Sequence, residues 1–143
     1  MGGGFGRHET NTMIIVDSSI WIDYFIGTSS PQTNKLDSLL GVEPVGIGDI
    51  ILTEVLQGFT NDIDFKRAKK VLSGFVLFQM LGEKNAIKTA ENYRNLRKQG
   101  ITIRKTIDCV IATFCIENKH SLLFRDKDFI PFVEKLSLKA VRA

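Results

Sequence analysis

The sequence predicts one three-layer α/β/α domain around a central parallel sheet of four to five short strands. Two observations predict it. Short continuous apolar runs alternate with stretches whose apolar residues recur at helical spacing, the pattern of a parallel sheet covered on both faces. From residue 13 onward, no repeat, linker or low-complexity segment interrupts that alternation. With 143 residues, 43% hydrophobic and 24% charged, the chain is long and apolar enough for one hydrophobic core.

The first twelve residues, MGGGFGRHETNT, stand apart. They are glycine-rich and polar, without an apolar period, and Met13 sits directly before the first apolar run. They read as a disordered leader, either artificial or an upstream start, ahead of a single domain over residues 13–143.

Residues 13–16 form an apolar strand buried on both faces, and Asp17 ends it. Ser18 or Ser19 caps a helix carrying Ile20, Trp21, Tyr24 and Phe25. A break over 27–31 leads to a helix over 33–40, stopped by Gly41. Residues 45–47 give a second strand. Asp49 caps the next helix, which carries Glu54 and ends at Gly58. A polar-faced helix over 64–72 bears Lys66, Arg67, Lys69 and Lys70, and residues 75–78 give a third strand. The longest amphipathic stretch, 83–98, is stopped by Gly100, and 101–103 is a short link or strand. Thr106 caps a helix over 107–118 that is apolar nearly all round, the mark of a buried helix. A fourth strand over 121–124, a short helix over 129–134 and an edge strand over 136–141 complete the chain.

The remaining bulk features narrow the function classes. Cys109 and Cys115 lie on one predicted helix, separated by about 9 Å of rise, too far for a disulfide. They read as reduced core residues, and their spacing matches no zinc site. No apolar stretch approaches the ~20 residues that span a bilayer. Asp17 and Asp23 interrupt the most apolar early segment, which excludes a signal-peptide core, so the expected location is cytoplasmic. A net charge of +3 permits nucleic-acid binding without arguing for it.

The chemistry is carried by acids. In open parallel sheets, ligands bind outside the carboxyl ends of the strands. Asp17 follows the first strand, and Asp126 lies just past the fourth. Asp108 opens the buried helix, and Glu54 sits on the helix after the second strand. Each acid alone also serves as a turn or cap residue. Together, four carboxylates from distant segments would converge on one sheet edge. Crowded carboxylates repel, and their burial needs a compensating cation or protons. Hard oxygen ligands select Mg²⁺ or Mn²⁺, whose chemistry with phosphate oxygens is phosphodiester hydrolysis.

Four stretches carry a resemblance that sharpens this reading. Residues 14–25, IIVDSSIWIDYF, run from strand through aspartate and small polar residue into an apolar helix. Residues 52–58, LTEVLQG, hold the second acid, and residues 106–112, TIDCVIA, an aspartate opening a buried helix. Residues 122–129, LLFRDKDF, are a strand followed by a basic residue and an Asp-x-Asp-Phe turn. In order and spacing these stretches resemble PIN domains of the VapC type, over essentially all of 13–141. The family often has Thr or Ser two residues before the fourth acid, where this chain has Phe124.

The resemblance implies a PIN-like fold and an Mg²⁺- or Mn²⁺-dependent endoribonuclease, the toxin of a type II VapBC-type toxin–antitoxin pair. Its partners would be an RNA substrate, a VapB-like antitoxin and a second copy in a homodimer. It implies Asp17 and Asp108 as main metal ligands, Glu54 completing the site, and Asp126 binding metal directly or through water. Ser18 supports the site by a hydrogen bond or caps its helix, while Asp128 reads as a cap for the helix at Phe129. Arg104, Lys105 and Arg125 flank Asp108 and Asp126, so they would touch substrate phosphates or neutralise the acids. The other basic residues read chiefly as solvated helix faces. Most of Trp21, Tyr24, Phe25, Phe59 and Phe65 would be core, with an exposed subset suited to an antitoxin tail.

Two other readings are possible. One is a non-catalytic nucleic-acid or protein-binding module on this fold. The other is a receiver- or phosphatase-like phosphoryl-transfer domain. A haloacid-dehalogenase-type phosphatase needs an aspartate two residues after Asp17, where Ser19 stands. A receiver needs an acid after a middle strand, where Gln79 stands.

Overall fold

The computed structural model describes residues 12–143. The leader expectation therefore lies, but for Thr12, outside the described residues. Five strands form one parallel sheet: β1 (Ile14–Val16), β2 (Val45–Gly48), β3 (Val76–Phe78), β4 (Ser121–Leu123) and β5 (Lys139–Ala140). Their order is β3-β2-β1-β4-β5. The chain steps outward from β1 to β2 and β3, then crosses to lay β4 on the other side of β1. The crevice between the carboxyl ends of β1 and β4 is thus the switch point where such sheets bind ligands. Register brings Val16 level with Leu123, and the Asp17 N–H donates to the Leu123 carbonyl at 2.9 Å.

Among the described residues, seven α-helices cover the sheet. Those called α1 (Ser18–Ile26), α2 (Pro31–Leu39), α3 (Asp49–Gln57) and α4 (Asp62–Leu72) pack on one another. The other layer holds α5 (Glu83–Lys98), α6 (Thr106–Asn118) and α7 (Ile130–Leu136), with α5 packed on both others. This is the expected three-layer architecture. Between the layers lie Ile15, Val16, Ile47, Ile51, Ile111, Leu122 and Leu123, all essentially without solvent contact. Every residue of α6 from Asp108 to Cys115 is buried, as its all-round apolar pattern predicts. Both cysteines are free and buried. Among the described residues, no helix is long and apolar enough to cross a membrane.

The element boundaries hold to within a few residues, and several caps move: Ser18 and Ser19 lie inside α1, whose N-cap position is Asp17. The helix expected from Thr33 starts at Pro31. Ser30 caps it, and Thr33 closes the capping box from inside. Asp49 is the first residue of α3, not its cap, and its Oδ1 accepts from both Ile50 N and Met80 N. That second bond ties the start of α3 to the segment after β3. The helix expected from Asp64 begins two residues earlier, under an Asn61 cap. Lys105, not Thr106, precedes α6, and it makes no side-chain cap. The last strand shrinks to two residues because α7 runs to Leu136.

The aromatics of the first half form a cluster. Trp21 stacks on Phe25 at 6.1 Å and meets the edge of Phe75 at 5.4 Å, and Phe59 meets the edge of Phe25. Trp21 and Phe25 are buried, so of the five aromatics singled out these two belong to the core.

Candidate active site

Three structural facts deliver acids to the crevice. Asp17 leaves β1 at its carboxyl end, where the start of α1 must follow. Asp108 lies in the first turn of α6, a helix buried along that face. Asp126 and Asp128 lie in the turn after β4, which closes as a short 3₁₀ helix over Lys127–Phe129. One carboxylate oxygen from each of Asp108, Asp126 and Asp128 lies within 4.8 Å of the others.

Asp17 and Glu54 stand outside that trio but within its field. Burial raises the Asp17 carboxyl to about 7, and the negative charges of Asp108, Glu54 and Asp126 add to the rise. The Ser18 backbone N–H opposes it. Ser18 therefore touches the site through its main chain. Burial likewise raises Asp108 to about 6. Lys105 opposes the rise, while Asp126, Glu54 and Asp128 add to it. The four predicted acids thus share one electrostatic site.

Asp128 does not cap the helix at Phe129, the reading the sequence favoured for it. The cap belongs to Asp126, whose Oδ1 accepts from Asp128 N at 2.9 Å. The Asp128 carboxylate instead stands with those of Asp108 and Asp126. The available signal was the two-residue spacing, since a tight turn turns both carboxylates of Asp-x-Asp toward one place.

The basic candidates divide. Arg104 donates to Asp128 Oδ2 through Nη2 at 2.7 Å and Nε at 3.2 Å. Lys105 Nζ lies 3.7 Å from Asp126. Arg125 turns away to Asp23 on α1, at 2.8 Å. Arg67 holds the Phe25 carbonyl and pairs with Asp64, so it serves the fold. Arg97 lies over the Tyr93 ring. Arg104 and Lys105 are therefore the cations at the acids themselves.

The donor set fits a hard divalent cation. It is all carboxylate, and Asp108 Oδ2 is buried with no hydrogen-bond partner among the described residues. An orphaned buried carboxylate oxygen costs free energy, which a cation would offset. Two oxygens sharing one Mg²⁺ at its usual bond length sit roughly 3–4 Å apart, and the trio's oxygens lie within 4.8 Å of one another.

Comparison with known proteins follows this geometry. The family model described as PIN domain matches residues 14–133. The chain is 28% identical over 130 residues to "VapC ribonuclease Mb1587" of Mycobacterium bovis and to "Ribonuclease VapC11" of Mycobacterium tuberculosis. Each match covers 90% of this chain and 97% of the relative. The fold is similar to that in the structure of VapBC2 from Rickettsia felis bound to a promoter DNA fragment. There the TM-score is 0.70 at 17% identity, over 90% of this chain and 96% of that one. It is also similar to VapBC-1 from nontypeable Haemophilus influenzae, with a TM-score of 0.67, 16% identity and the same coverage. FitAcB from Neisseria gonorrhoeae gives a TM-score of 0.66 at 17% identity, over 91% of this chain and 97% of that one.

Proposed function

The chain belongs to the PIN-domain family, and on that premise we propose that it is a divalent-cation-dependent endoribonuclease, the toxin of a VapBC-type pair. One observation carries the metal-dependent reading. A buried Asp108 oxygen without a hydrogen-bond partner among the described residues belongs to a cluster of carboxylates, an arrangement that is costly without a cation. The similarity to proteins named as VapC ribonucleases supports RNA as the substrate. The fold likeness to complexes titled VapBC supports a VapB-like antitoxin as partner.

In this reading Asp17 and Asp108 hold the ion, with Asp126 and Asp128 beside them. A bound Mg²⁺ or Mn²⁺ supplies Lewis-acid polarisation of a phosphate oxygen. Glu54, partly exposed at the rim, orients the attacking water and accepts its proton. The water oxygen forms the new bond to phosphorus, the bond to the leaving ribose oxygen breaks, and that oxygen takes a proton from solvent. Lys105 exchanges its Asp126 partner for substrate phosphate, Arg104 reaches the substrate while still anchored on Asp128, and the Ser18 N–H favours the charged form of Asp17.

The test is cleavage of RNA by the purified protein with Mg²⁺ or Mn²⁺. Full activity in EDTA overturns the metal dependence. The toxin role predicts growth arrest on expression, relieved by a small co-expressed partner that binds the protein. Harmless expression of active enzyme overturns that role.

A further inference from the structure

Beside the carboxylates lies a cavity of about 420 Å³, between the segment before α6 and the start of α7. Its walls are Thr102, Ile103, Ile130 and Pro131, and Arg104 and Asp128 form its rim. We propose that this cavity is a nucleobase subsite, taking the unpaired base next to the phosphate held at the carboxylates. The inference rests on the ribonuclease reading and adds to it where the substrate is gripped.

The first argument is continuity. Asp128 lines the cavity and also belongs to the carboxylate trio. One side chain thus separates the place for a phosphate from the place for a base, as one ribose does within a nucleotide.

The second argument is the chemistry of the walls. Ile103 is buried and forms a fixed apolar floor, while Ile130 is 43% exposed at the first turn of α7, where Pro131 stiffens the backbone. A half-exposed isoleucine on a rigid element leaves apolar surface in water, and the flat face of a base covers such a surface. The volume lies within the ~300–1,000 Å³ typical of small-ligand sites.

The third argument is charge. The Arg104 side chain is 70% exposed, anchored at one end by Asp128. A planar guanidinium held this way stacks on a base and pairs with a phosphate. Lys127 adds a second cation to the lining. Arg104, Lys127 and Asp128 leave a net positive charge around an apolar floor, which suits a polyanion with aromatic bases, and single-stranded RNA is that partner.

The experiment uses an oligoribonucleotide that the protein cleaves, and copies in which each residue flanking the cut is replaced by an abasic ribose. Wild type, Ile130→Ala and Ile130→Glu are compared, with Mn²⁺ affinity and thermal unfolding as checks on the metal site and the fold. Stacking of one base, about 1–3 kcal/mol, corresponds to a loss in kcat/KM of roughly 5- to 150-fold at one abasic position. Ile130→Ala should lower kcat/KM on intact RNA and shrink the abasic penalty at that position. Ile130→Glu should remove the penalty altogether, with Mn²⁺ affinity unchanged in both.

The proposal is overturned if no abasic position matters, or if both variants keep the full wild-type penalty. It is also overturned if the variants cleave normally yet lose a bound protein partner, which would make the cavity a protein-docking site. If wild type cleaves no RNA under any divalent cation, the ribonuclease reading itself fails, a result distinct from these.

Discussion

Two guanidinium nitrogens of Arg104 converge on one oxygen of Asp128, at 2.7 and 3.2 Å. The pair neutralises a carboxylate that stands within 4.8 Å of two others. A cation entering the cluster competes with Arg104 for that charge. Arg104→Gln should therefore tighten Mn²⁺ binding while weakening RNA binding. Because Arg104 is largely exposed, solvent screens the effect, and a gain of about two- to fivefold is expected. Electron paramagnetic resonance of free Mn²⁺ measures it, and unchanged or weaker binding would show that the pair does not restrain the site.

Asp17 is buried, and its carboxyl is raised to about 7. Its unfolded counterpart releases its proton near 4. Between those values the folded state binds the extra proton, so this group's contribution to stability falls as pH rises from about 4 to 7. Asp17→Asn removes the charge with little change in shape. Without divalent ions at pH 8 it should unfold later than wild type, by about 1–3 kcal/mol, yet lose cleavage by a hundredfold or more. Earlier unfolding of the variant would mean that the carboxylate has a stabilising partner in the fold.

Divalent ions should reverse that order. Binding to the folded state alone stabilises it by about 2.7 kcal/mol at a hundred times the dissociation constant. Wild type should gain several degrees in Tm with Mn²⁺ and lose them in EDTA, while Asp108→Asn gains little. An equal gain in both proteins would place the ion elsewhere.

His120 supplies a separate acid sensitivity. It is 4% exposed, packs against both Phe78 and Phe114, and accepts the Met13 N–H at Nδ1. Burial lowers its pKa, so the fold holds the neutral ring. Its contribution is whole above the unfolded value of about 6.5 and is lost as pH falls below it. Thermal unfolding should show a fall in Tm below pH 6.5 that His120→Gln reduces. The same slope in both proteins would assign it to other groups.

Gly48 ends β2 against Met80. A Cβ at Gly48 would stand 2.1 Å from Met80 Sδ, and Met80 is fully buried. Gly48→Ala should cost about 1–3 kcal/mol through this overlap, and with Met80→Ala in the same chain the combined loss should be smaller than the two single losses together. Additive losses in the double variant, measured by urea unfolding, would show that the overlap is not the cause.

Much of this molecule was legible in its residues taken in order. Apolar runs at 13–16 and 121–124, and the all-round apolar stretch after Asp108, identified two central strands and a buried helix. Those elements carry Asp17, Asp126 and Asp108 to one edge. Glycines 41 and 100 marked helix ends because each takes the left-handed backbone that favours glycine, a preference that acts within a few residues.

Only tertiary structure decided which charge meets which. Arg125, expected either to touch substrate phosphates or to neutralise the acids beside it in sequence, pairs with Asp23. Asp128 was read as a cap and joins Asp108 and Asp126. Asp49 reaches the main chain of Met80, 31 residues away. Periodicity and turn chemistry are local, so one chain segment states them. Pairing between distant side chains depends on which strands lie side by side and in what register, and packing of the whole core settles that.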